Sequence, residues 1–284
     1  MKKQFFLVLS VLFAYSCTMS STKSTEPIQT LDKKINLYSE AIKDSFYLSV
    51  QLPKKYYEKP DLKYPTVYIV DANFYFPMLA ETVKQHEIAG LLPPVILVGI
   101  GYKSFAAMDS LRERDYLYPA SIPSDEMKAV GGGKNFNSFI VNQLIPYIDK
   151  EFRTETSNRS LMGHSFGGYF SLYALLNQIE SNQTTFKNIA SASPSLWYNN
   201  YYLNQLTAKL QSKKTPDSLN IYLTAGGLED PTWNINPLKK LSTDITNAHV
   251  SNLNVHQAIY TDLDHMDVAM ITFSRALQEF YKKN

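Results

Sequence analysis

Several features that are common in protein sequences are scarce in this chain of 284 residues. It contains one cysteine, Cys17, so no disulfide can form within a single copy. Its formal net charge of +2 is too small to indicate binding to nucleic acid or a polybasic membrane patch. After residue 31 there is no repeat, low-complexity block or second linker. These absences favour one large folded domain.

Long apolar runs are also missing, and the one at residues 5–14 is too short for a permanent membrane span. Lys2 and Lys3 precede it, and Cys17 follows it after a short segment that contains small residues. This arrangement resembles a bacterial lipoprotein signal, in which the cysteine carries the lipid; a plain secretory peptide is the alternative. We therefore expect a lipid-anchored protein of the bacterial cell envelope that faces the periplasm, with secretion as the alternative.

The segment after Cys17 is rich in serine, threonine and lysine and has hardly any apolar residues. Such a composition buries too little surface to offset chain entropy, which predicts a flexible tether. We place a signal segment at residues 1–17, the tether at 18–34 and the folded domain at 35–284.

The rest of the chain alternates between strand-like and helix-like patterns. Apolar or alternating runs predict strands at 46–52, 66–70, 95–100, 189–193, 219–225 and 255–260. Helices are predicted at 74–90, 136–152, 169–176 and 268–281. Nearly continuous apolar strands are typical of a buried parallel sheet. The pattern predicts an α/β fold with a mostly parallel central sheet and helices on both faces.

Residues 163–168, with the sequence Gly-His-Ser-Phe-Gly-Gly, are the most informative motif. An apolar run precedes them and an amphipathic segment follows. A strand, Gly-x-Ser-x-Gly and then a helix are typical of a nucleophile elbow, in which Ser165 is exposed on a sharp turn. A tight turn without a chemical role is the alternative. A serine nucleophile also requires a base and an acid that orients the base.

Candidates for both partners follow in the chain. Glu229 lies just after the predicted strand at 219–225, and His265 follows the strand at 255–260. Serine, acid and histidine in this order are typical of an α/β-hydrolase, and ligands of such sheets bind beyond the strand ends. Asp230 is the reserve acid. The alternatives are a solvated loop acid at Glu229 and a helix cap at His265.

Other candidate sites fit less well. The cluster of Asp262, Asp264, His265 and Asp267 has too few ligands at defined spacing for an oxygen-rich cation loop. The segment 131–134, Gly-Gly-Gly-Lys, lacks the spacing of a phosphate-binding loop. We therefore predict no metal and no cofactor. His164 lies within the elbow and is expected to serve in packing, and the remaining histidines, His86, His249 and His256, have no nucleophile-like neighbour in sequence.

Six segments together resemble the esterase D family of α/β-hydrolases: 70–73, 112–119, 131–136, 163–168, 193–198 and 226–229. Within that family the chain is most similar to the siderophore esterases, a group that includes ferri-enterobactin hydrolases. The resemblance covers about residue 35 to the C-terminus, with one departure, because Asp71-Ala72 stands where the family usually has Asp-Gly. It implies an α/β-hydrolase fold and a small-molecule ester substrate. Feruloyl esterases, S-formylglutathione hydrolases and mycolyl transferases share the scaffold.

These observations lead us to expect a serine carboxylic-ester hydrolase that acts through an acyl-enzyme on a small, siderophore-like ester. Ser165 would attack the carbonyl carbon, His265 would transfer the proton and Glu229 would orient the imidazole. The backbone N–H of Phe166 is expected to stabilise the oxyanion, and the resemblance implies Asn73 as the second donor. The alternatives are an acyltransferase on the same fold and a non-catalytic, lipid-tethered binding protein.

Arg114 and Trp197 are the candidates for substrate contact. A guanidinium on a loop at a strand end suits an anionic or catecholate-rich ligand, and an indole ring offers a stacking surface. The alternatives are that Arg114 pairs with Asp115 or Glu113 and that Trp197 lies in the core.

Overall fold

The computed structural model of the protein describes residues 31–212 and 218–282. The predicted signal segment, Cys17 and most of the predicted tether lie outside these residues. Within the two described ranges, none of the helices combines the length and apolar character that a bilayer crossing requires.

A single eight-stranded sheet forms the centre of residues 31–212 and 218–282. In chain order the strands are β1 (Asp32–Ser39), β2 (Asp44–Gln51), β3 (Tyr64–Ile69), β4 (Ile96–Gly101), β5 (Thr154–His164), β6 (Asn188–Ala192), β7 (Leu219–Gly226) and β8 (Leu253–Tyr260). Their order in space is β1-β2-β4-β3-β5-β6-β7-β8. β2 is antiparallel to both β1 and β4, and all other neighbouring strands are parallel. The carboxyl ends of β5 to β8 therefore lie along one edge.

Helices connect the strands. In chain order they are α1 (Ala72–Ile88), α2 (Phe105–Tyr116), α3 (Gly133–Phe139), α4 (Ile145–Glu151), α5 (Phe166–Ser181), α6 (Tyr198–Tyr201), α7 (Leu206–Ser212), α8 (Asn236–Asn247) and α9 (Val268–Phe280). A π-helical turn at Ile140–Leu144 joins α3 to α4, so the helix predicted at 136–152 is a nearly continuous helical segment.

Two apolar layers cover the faces of the sheet, as β3 illustrates. Val67 and Ile69 belong to one buried cluster, which includes side chains of α1 and α9. Tyr68 belongs to the opposite cluster, together with side chains of α3, α5 and α8. Successive residues of a strand point to opposite faces, so a continuous apolar run indicates burial on both. The predicted mostly parallel sheet with helices on both faces is confirmed.

Five elements were not predicted, namely β1, α2, α6, α7 and α8. β1 begins at Asp32, so the proposed tether boundary at residue 34 was three residues too late. β1 is an edge strand with alternating exposure and several polar residues, which explains its weak apolar signal.

Arg114 was predicted on a loop but lies in the last turn of α2. The hydroxyl of Ser104 accepts a hydrogen bond from the N–H of Ala107 at 3.1 Å and caps that helix.

Candidate active site

Ser165 occupies a sharp turn between the end of β5 and the start of α5. Its backbone angles are φ +57° and ψ −119°, a conformation that a residue with a side chain rarely adopts. Hydrogen bonds hold the turn, because the N–H of Ser165 donates to the carbonyl of Ala192 at 3.0 Å and Tyr169 N–H donates to the carbonyl of Ser165 at 2.8 Å. Backbone strain of this kind costs about 1–3 kcal/mol and persists where the surrounding structure enforces it.

Glycine is required on both sides of Ser165 for steric reasons. A Cβ atom on Gly163 would collide with the carbonyl group of Gly167. A Cβ atom on Gly167 would lie 2.8 Å from Cγ2 of Val70 and 2.9 Å from Oδ2 of Asp71. At Gly163 the backbones of strand and helix are too close for a side chain, which is the geometry predicted for a nucleophile elbow, and at Gly167 the side chains of Val70 and Asp71 occupy the space.

His265 and Glu229 form a hydrogen-bonded pair at the same edge of the sheet. Glu229 follows β7 and His265 follows β8, so the adjacent parallel strands bring them together. His265 Nδ1 lies 2.8 Å from Glu229 Oε2. The carboxyl side chain is buried, whereas 38% of the His265 side chain is exposed. An ionised carboxylate only accepts hydrogen bonds, so Nδ1 carries the proton and Nε2 is left unprotonated in the neutral ring.

Four donors surround the Glu229 carboxylate. Besides His265, the Ser193 hydroxyl and the Asn234 side-chain amide donate to Oε2, and the N–H of Gly226 donates to Oε1 at 2.6 Å. Burial alone would raise the pKa of Glu229, but these hydrogen bonds outweigh it and lower the pKa to about 2. Glu229 is therefore ionised at neutral pH.

Asp230, the reserve acid, has a different role in the structure. Its Oδ1 accepts the backbone N–H groups of Thr232 and Trp233 at 2.7 and 3.0 Å, which caps the helical turn Pro231–Ile235. The structure thus pairs Glu229, and not its neighbour, with His265. Ser193 and Asn234 were not identified from the sequence, because serine and asparagine at strand and loop ends carry no distinctive local pattern.

Ser165 and His265 line one cavity of about 180 Å³. Within the described ranges no hydrogen bond joins the Ser165 hydroxyl to the imidazole, a contact that often tightens only when substrate binds. Apolar and aromatic side chains form much of the wall, among them Phe74, Phe105 and Met108. Phe105 and Met266 are more than half exposed and lie where the cavity meets solvent.

Arg112, rather than Arg114, is the arginine at this cavity. Its guanidinium makes two hydrogen bonds to Asp71, at 3.0 and 2.9 Å, and lies 5.3 Å from the ring centre of Phe166. Asp71 holds the pKa of Arg112 above its usual value, although burial opposes this. Arg114 instead pairs with Asp115 at 2.8 Å and Asp44 at 3.0 Å, the first of these being the alternative noted from the sequence.

The other predicted site residues lie near the cavity but outside its lining. Trp197 is partly buried and packs edge-to-face on Phe166, with 6.2 Å between ring centres. Phe166 is the first residue of α5, so its N–H has no acceptor within the helix. The Asn73 side chain makes two hydrogen bonds to the Tyr102 backbone, at 2.9 and 2.7 Å. That amide faces a neighbouring groove that does not include Ser165. A donor to the oxyanion from this part of α1 would therefore be a backbone N–H group.

The acidic segment around His265 is organised by local hydrogen bonds. Asp264 Oδ1 accepts the backbone N–H groups of Met266 and Asp267 at 2.9 and 3.3 Å. Across residues 31–212 and 218–282 there is no group of three or more histidine, cysteine, aspartate or glutamate side chains that could hold a metal ion.

The strand order and the serine turn define the class of this protein, which is an α/β-hydrolase. The family model described as "Putative esterase" matches residues 39–272, and the chain belongs to that family. This confirms the resemblance to the esterase D family. The assignment covers most of the described sheet and all three residues Ser165, Glu229 and His265.

Individual relatives place the chain near siderophore esterases. It is 33% identical to ferri-bacillibactin esterase BesA of Bacillus subtilis over 60% of this chain and 62% of that protein. It is 32% identical to a siderophore enterobactin esterase of Emericella nidulans over 47% of each chain. The chain therefore matches less than two thirds of the length of either relative.

A solved structure confirms the fold. The BES protein from Bacillus cereus superposes with a TM-score of 0.78 at 24% identity, over 93% of this chain and 100% of that one.

Proposed function

We propose that this protein is a serine carboxylic-ester hydrolase that works through an acyl-enzyme. The observation that carries the proposal is the strained Ser165 turn, which shares a cavity with an imidazole whose other nitrogen is held by a buried, ionised carboxylate. Family membership and the names of the relatives support the same reaction class.

In this mechanism the Ser165 hydroxyl attacks the ester carbonyl carbon while His265 Nε2 removes its proton. The same proton then passes to the leaving alcohol as the tetrahedral intermediate collapses to an acyl-serine. A water molecule, deprotonated by His265, then attacks the carbonyl carbon of the acyl-serine, and the proton returns to Ser165 Oγ as the acid is released. Glu229 keeps Nδ1 protonated and stabilises the imidazolium that forms in each step.

The developing oxyanion requires donors that are already in place. The N–H of Phe166, at the start of α5, is the first, and the dipole of that helix adds to it. The second donor is a backbone N–H in the first turn of α1, at Ala72 or Asn73, because the Asn73 side-chain amide is committed to Tyr102. Removal of one such donor typically slows the reaction about 10²- to 10³-fold.

We further propose a siderophore-like ester as substrate. BesA and the Emericella nidulans relative are named for such esters. In this chain, the guanidinium of Arg112 and the rings of Phe74 and Phe105 border the cavity, which suits an aromatic, electron-rich acyl group. The cavity measures only about 180 Å³, below the range of pockets that bury a drug-sized ligand, so a large substrate would extend beyond its mouth.

Product analysis tests this function. The protein would be incubated with a ferric catecholate siderophore, a feruloyl sugar and an aryl ester, each with and without an added alcohol. We expect free acid as the main product in every productive reaction, with the siderophore cleaved most efficiently and no turnover by Ser165→Ala. Transfer of the acyl group to the alcohol in preference to water would favour an acyltransferase. Binding without turnover would favour a binding protein.

The location of the domain is a separate proposal. The pattern that ends at Cys17 supports a lipid anchor on a periplasm-facing protein of the bacterial envelope, with secretion as the alternative. Cys17 lies outside the described residues, so this proposal rests on the sequence alone.

A further inference from the structure

His164 is buried directly beside the proposed nucleophile, and both of its ring nitrogens have partners. Its Nδ1 lies 2.7 Å from the Tyr75 hydroxyl, and its Nε2 lies 2.6 Å from the backbone carbonyl oxygen of His265. Only 3% of His164 is exposed. Packing, the role expected from the sequence, does not account for two short hydrogen bonds that connect three separate elements.

The two partners determine which nitrogen carries the proton. A carbonyl oxygen can only accept, so the Nε2–H group of His164 donates a hydrogen bond to the backbone carbonyl oxygen of His265. Nδ1 of the neutral ring is then an acceptor, and the Tyr75 hydroxyl donates to it. Burial raises the pKa of Tyr75, which keeps that hydroxyl protonated. The chain of donors therefore runs from Tyr75 through His164 to the His265 carbonyl.

The surroundings keep this ring neutral. Burial is the main cause that lowers the pKa of His164 to about 3, and the nearby imidazole of His265 acts in the same direction. Arg112 opposes protonation as well, and its Nη2 donates to the His164 carbonyl at 3.3 Å. The hydrogen bond to the His265 carbonyl and, to a smaller extent, Glu229 favour the charged form, but they do not offset burial. His164 is thus a fixed hydrogen-bond connector and not a second general base.

We propose that Tyr75 and His164 are positioning residues, which hold the loop of His265 at the distance from Ser165 that proton transfer requires. The inference rests on the proposed function. His164 directly precedes Ser165 in the chain, while its ring holds the residue that would remove the serine proton. The rings of His164 and His265 are 4.5 Å apart, centre to centre. One side chain therefore couples the nucleophile turn to the base.

The consequence is kinetic. Without the connector, the His265 loop is held by fewer contacts and the imidazole samples positions away from the Ser165 hydroxyl. Misplacement by about 1 Å can slow an enzyme about 100-fold. The effect should appear in kcat and in the rate of serine acylation, with KM nearly unchanged, because neither ring nitrogen of His164 is free to contact substrate.

The test compares three variants with a matched control. His164→Leu removes both hydrogen bonds, His164→Gln keeps an N–H donor at the position of Nε2, and Tyr75→Phe removes the hydroxyl alone. Tyr222→Phe is the control, because Tyr222 is also buried and its hydroxyl bonds to the Tyr260 hydroxyl at 3.2 Å, away from the cavity. Each protein would be reacted with a fluorophosphonate. Both the final labelled fraction and the labelling rate would be recorded.

We expect the folded variants to label to completion but at different rates. His164→Leu should be about 10- to 100-fold slower, and Tyr75→Phe about 3- to 10-fold slower, the value of one ordinary hydrogen bond. His164→Gln should recover most of the rate, and Tyr222→Phe should match the wild type. If a His164 variant labels incompletely, part of it is misfolded. The labelling rate of Tyr75→Phe and the nitrogen NMR of the wild type then test the proposal.

Nitrogen NMR of the wild type gives a readout that is independent of activity. His164 should be a neutral Nε2–H tautomer from pH 8 down to about pH 4. A protonated ring or an Nδ1–H tautomer would overturn the proposal, as would unchanged labelling rates in His164→Leu and Tyr75→Phe. A folded wild type that does not label at Ser165 refutes the proposed function instead, and the tautomer would still report whether the connector exists.

Discussion

At the scale of single residues, the central arrangement is Ser165, His265 and Glu229. Adjacent parallel strands bring Glu229 and His265 within hydrogen-bond distance, and the turn after β5 places Ser165 at the same cavity as His265. The buried carboxylate fixes the proton on Nδ1, which leaves Nε2 free to act as the base.

The first prediction at this scale concerns the three proposed catalytic residues. Ser165→Ala and His265→Ala should each lower kcat about 10⁵- to 10⁶-fold, and the double variant should be little worse, because the residues act as one unit. Glu229→Gln should lose less, about 10²- to 10⁴-fold, since it transfers no proton. Asp230→Asn is the matched control and should retain activity. Steady-state kinetics would decide, and a damaging Asp230→Asn with a silent Glu229→Gln would contradict the assignment.

Glu229 should also contribute to stability in a pH-dependent way. Its pKa falls from an ordinary value of 4.5 to about 2 in the folded protein, so the unfolded chain binds the proton more readily. The contribution is complete above about pH 4.5 and is lost as the pH falls through about 2. Urea unfolding should therefore show that Glu229→Gln is less stable than the wild type at pH 7. The difference between their free energies of unfolding should become smaller below pH 4.5. A difference in unfolding free energy that stays constant down to pH 2.5 would contradict this.

The sequence predicted Ser165, His265 and Glu229 from their order and from their places after strand ends. It did not predict Ser193, Asn234, Arg112 or the hydrogen bonds of His164. Those contacts join side chains that are far apart in the chain, and no local pattern marks them before the sheet brings them together.

At the scale of elements, the turn between β5 and α5 determines where Ser165 points. The sequence missed the amphipathic helix α8, although it buries Leu238, Leu241 and Ile245, but most strands could be predicted from their apolar or alternating runs. β1 and α2 could not, because β1 is a polar edge strand and α2 buries only Met108, Asp115 and Tyr116. The sequence favoured Arg114 because it placed that residue on a loop, whereas on α2 it is Arg112 that reaches the cavity.

A glycine substitution tests the strand-turn-helix geometry. Gly163→Ala should destabilise the protein by about 3 kcal/mol or more and abolish activity, because the new Cβ atom collides with the backbone of Gly167. Gly90→Ala is the matched control. Its φ is +71° but a Cβ atom there meets nothing within 4 Å, so it should cost only about 1–2 kcal/mol. If urea unfolding shows that the two variants lose the same free energy of unfolding, the elbow is not closely packed.

At the scale of the whole molecule, an α/β-hydrolase domain follows an N-terminal segment that ends in a lipoprotein-like pattern at Cys17. Metabolic labelling with a palmitate analogue should mark the wild type but not Cys17→Ser. The purified Cys17→Ser protein should keep its activity, because the proposed catalytic residues Ser165, Glu229 and His265 are unchanged. Label that persists in Cys17→Ser would contradict the anchor.

Covalent trapping of Ser165 tests the central claim most directly. The folded protein would be mixed with a fluorophosphonate, and the modified residue would be identified by intact mass and peptide mapping, with Ser165→Ala as the control. The account predicts one adduct per chain, located on Ser165, and none in the variant. A folded wild type without an adduct, or an adduct that remains in Ser165→Ala, would contradict it.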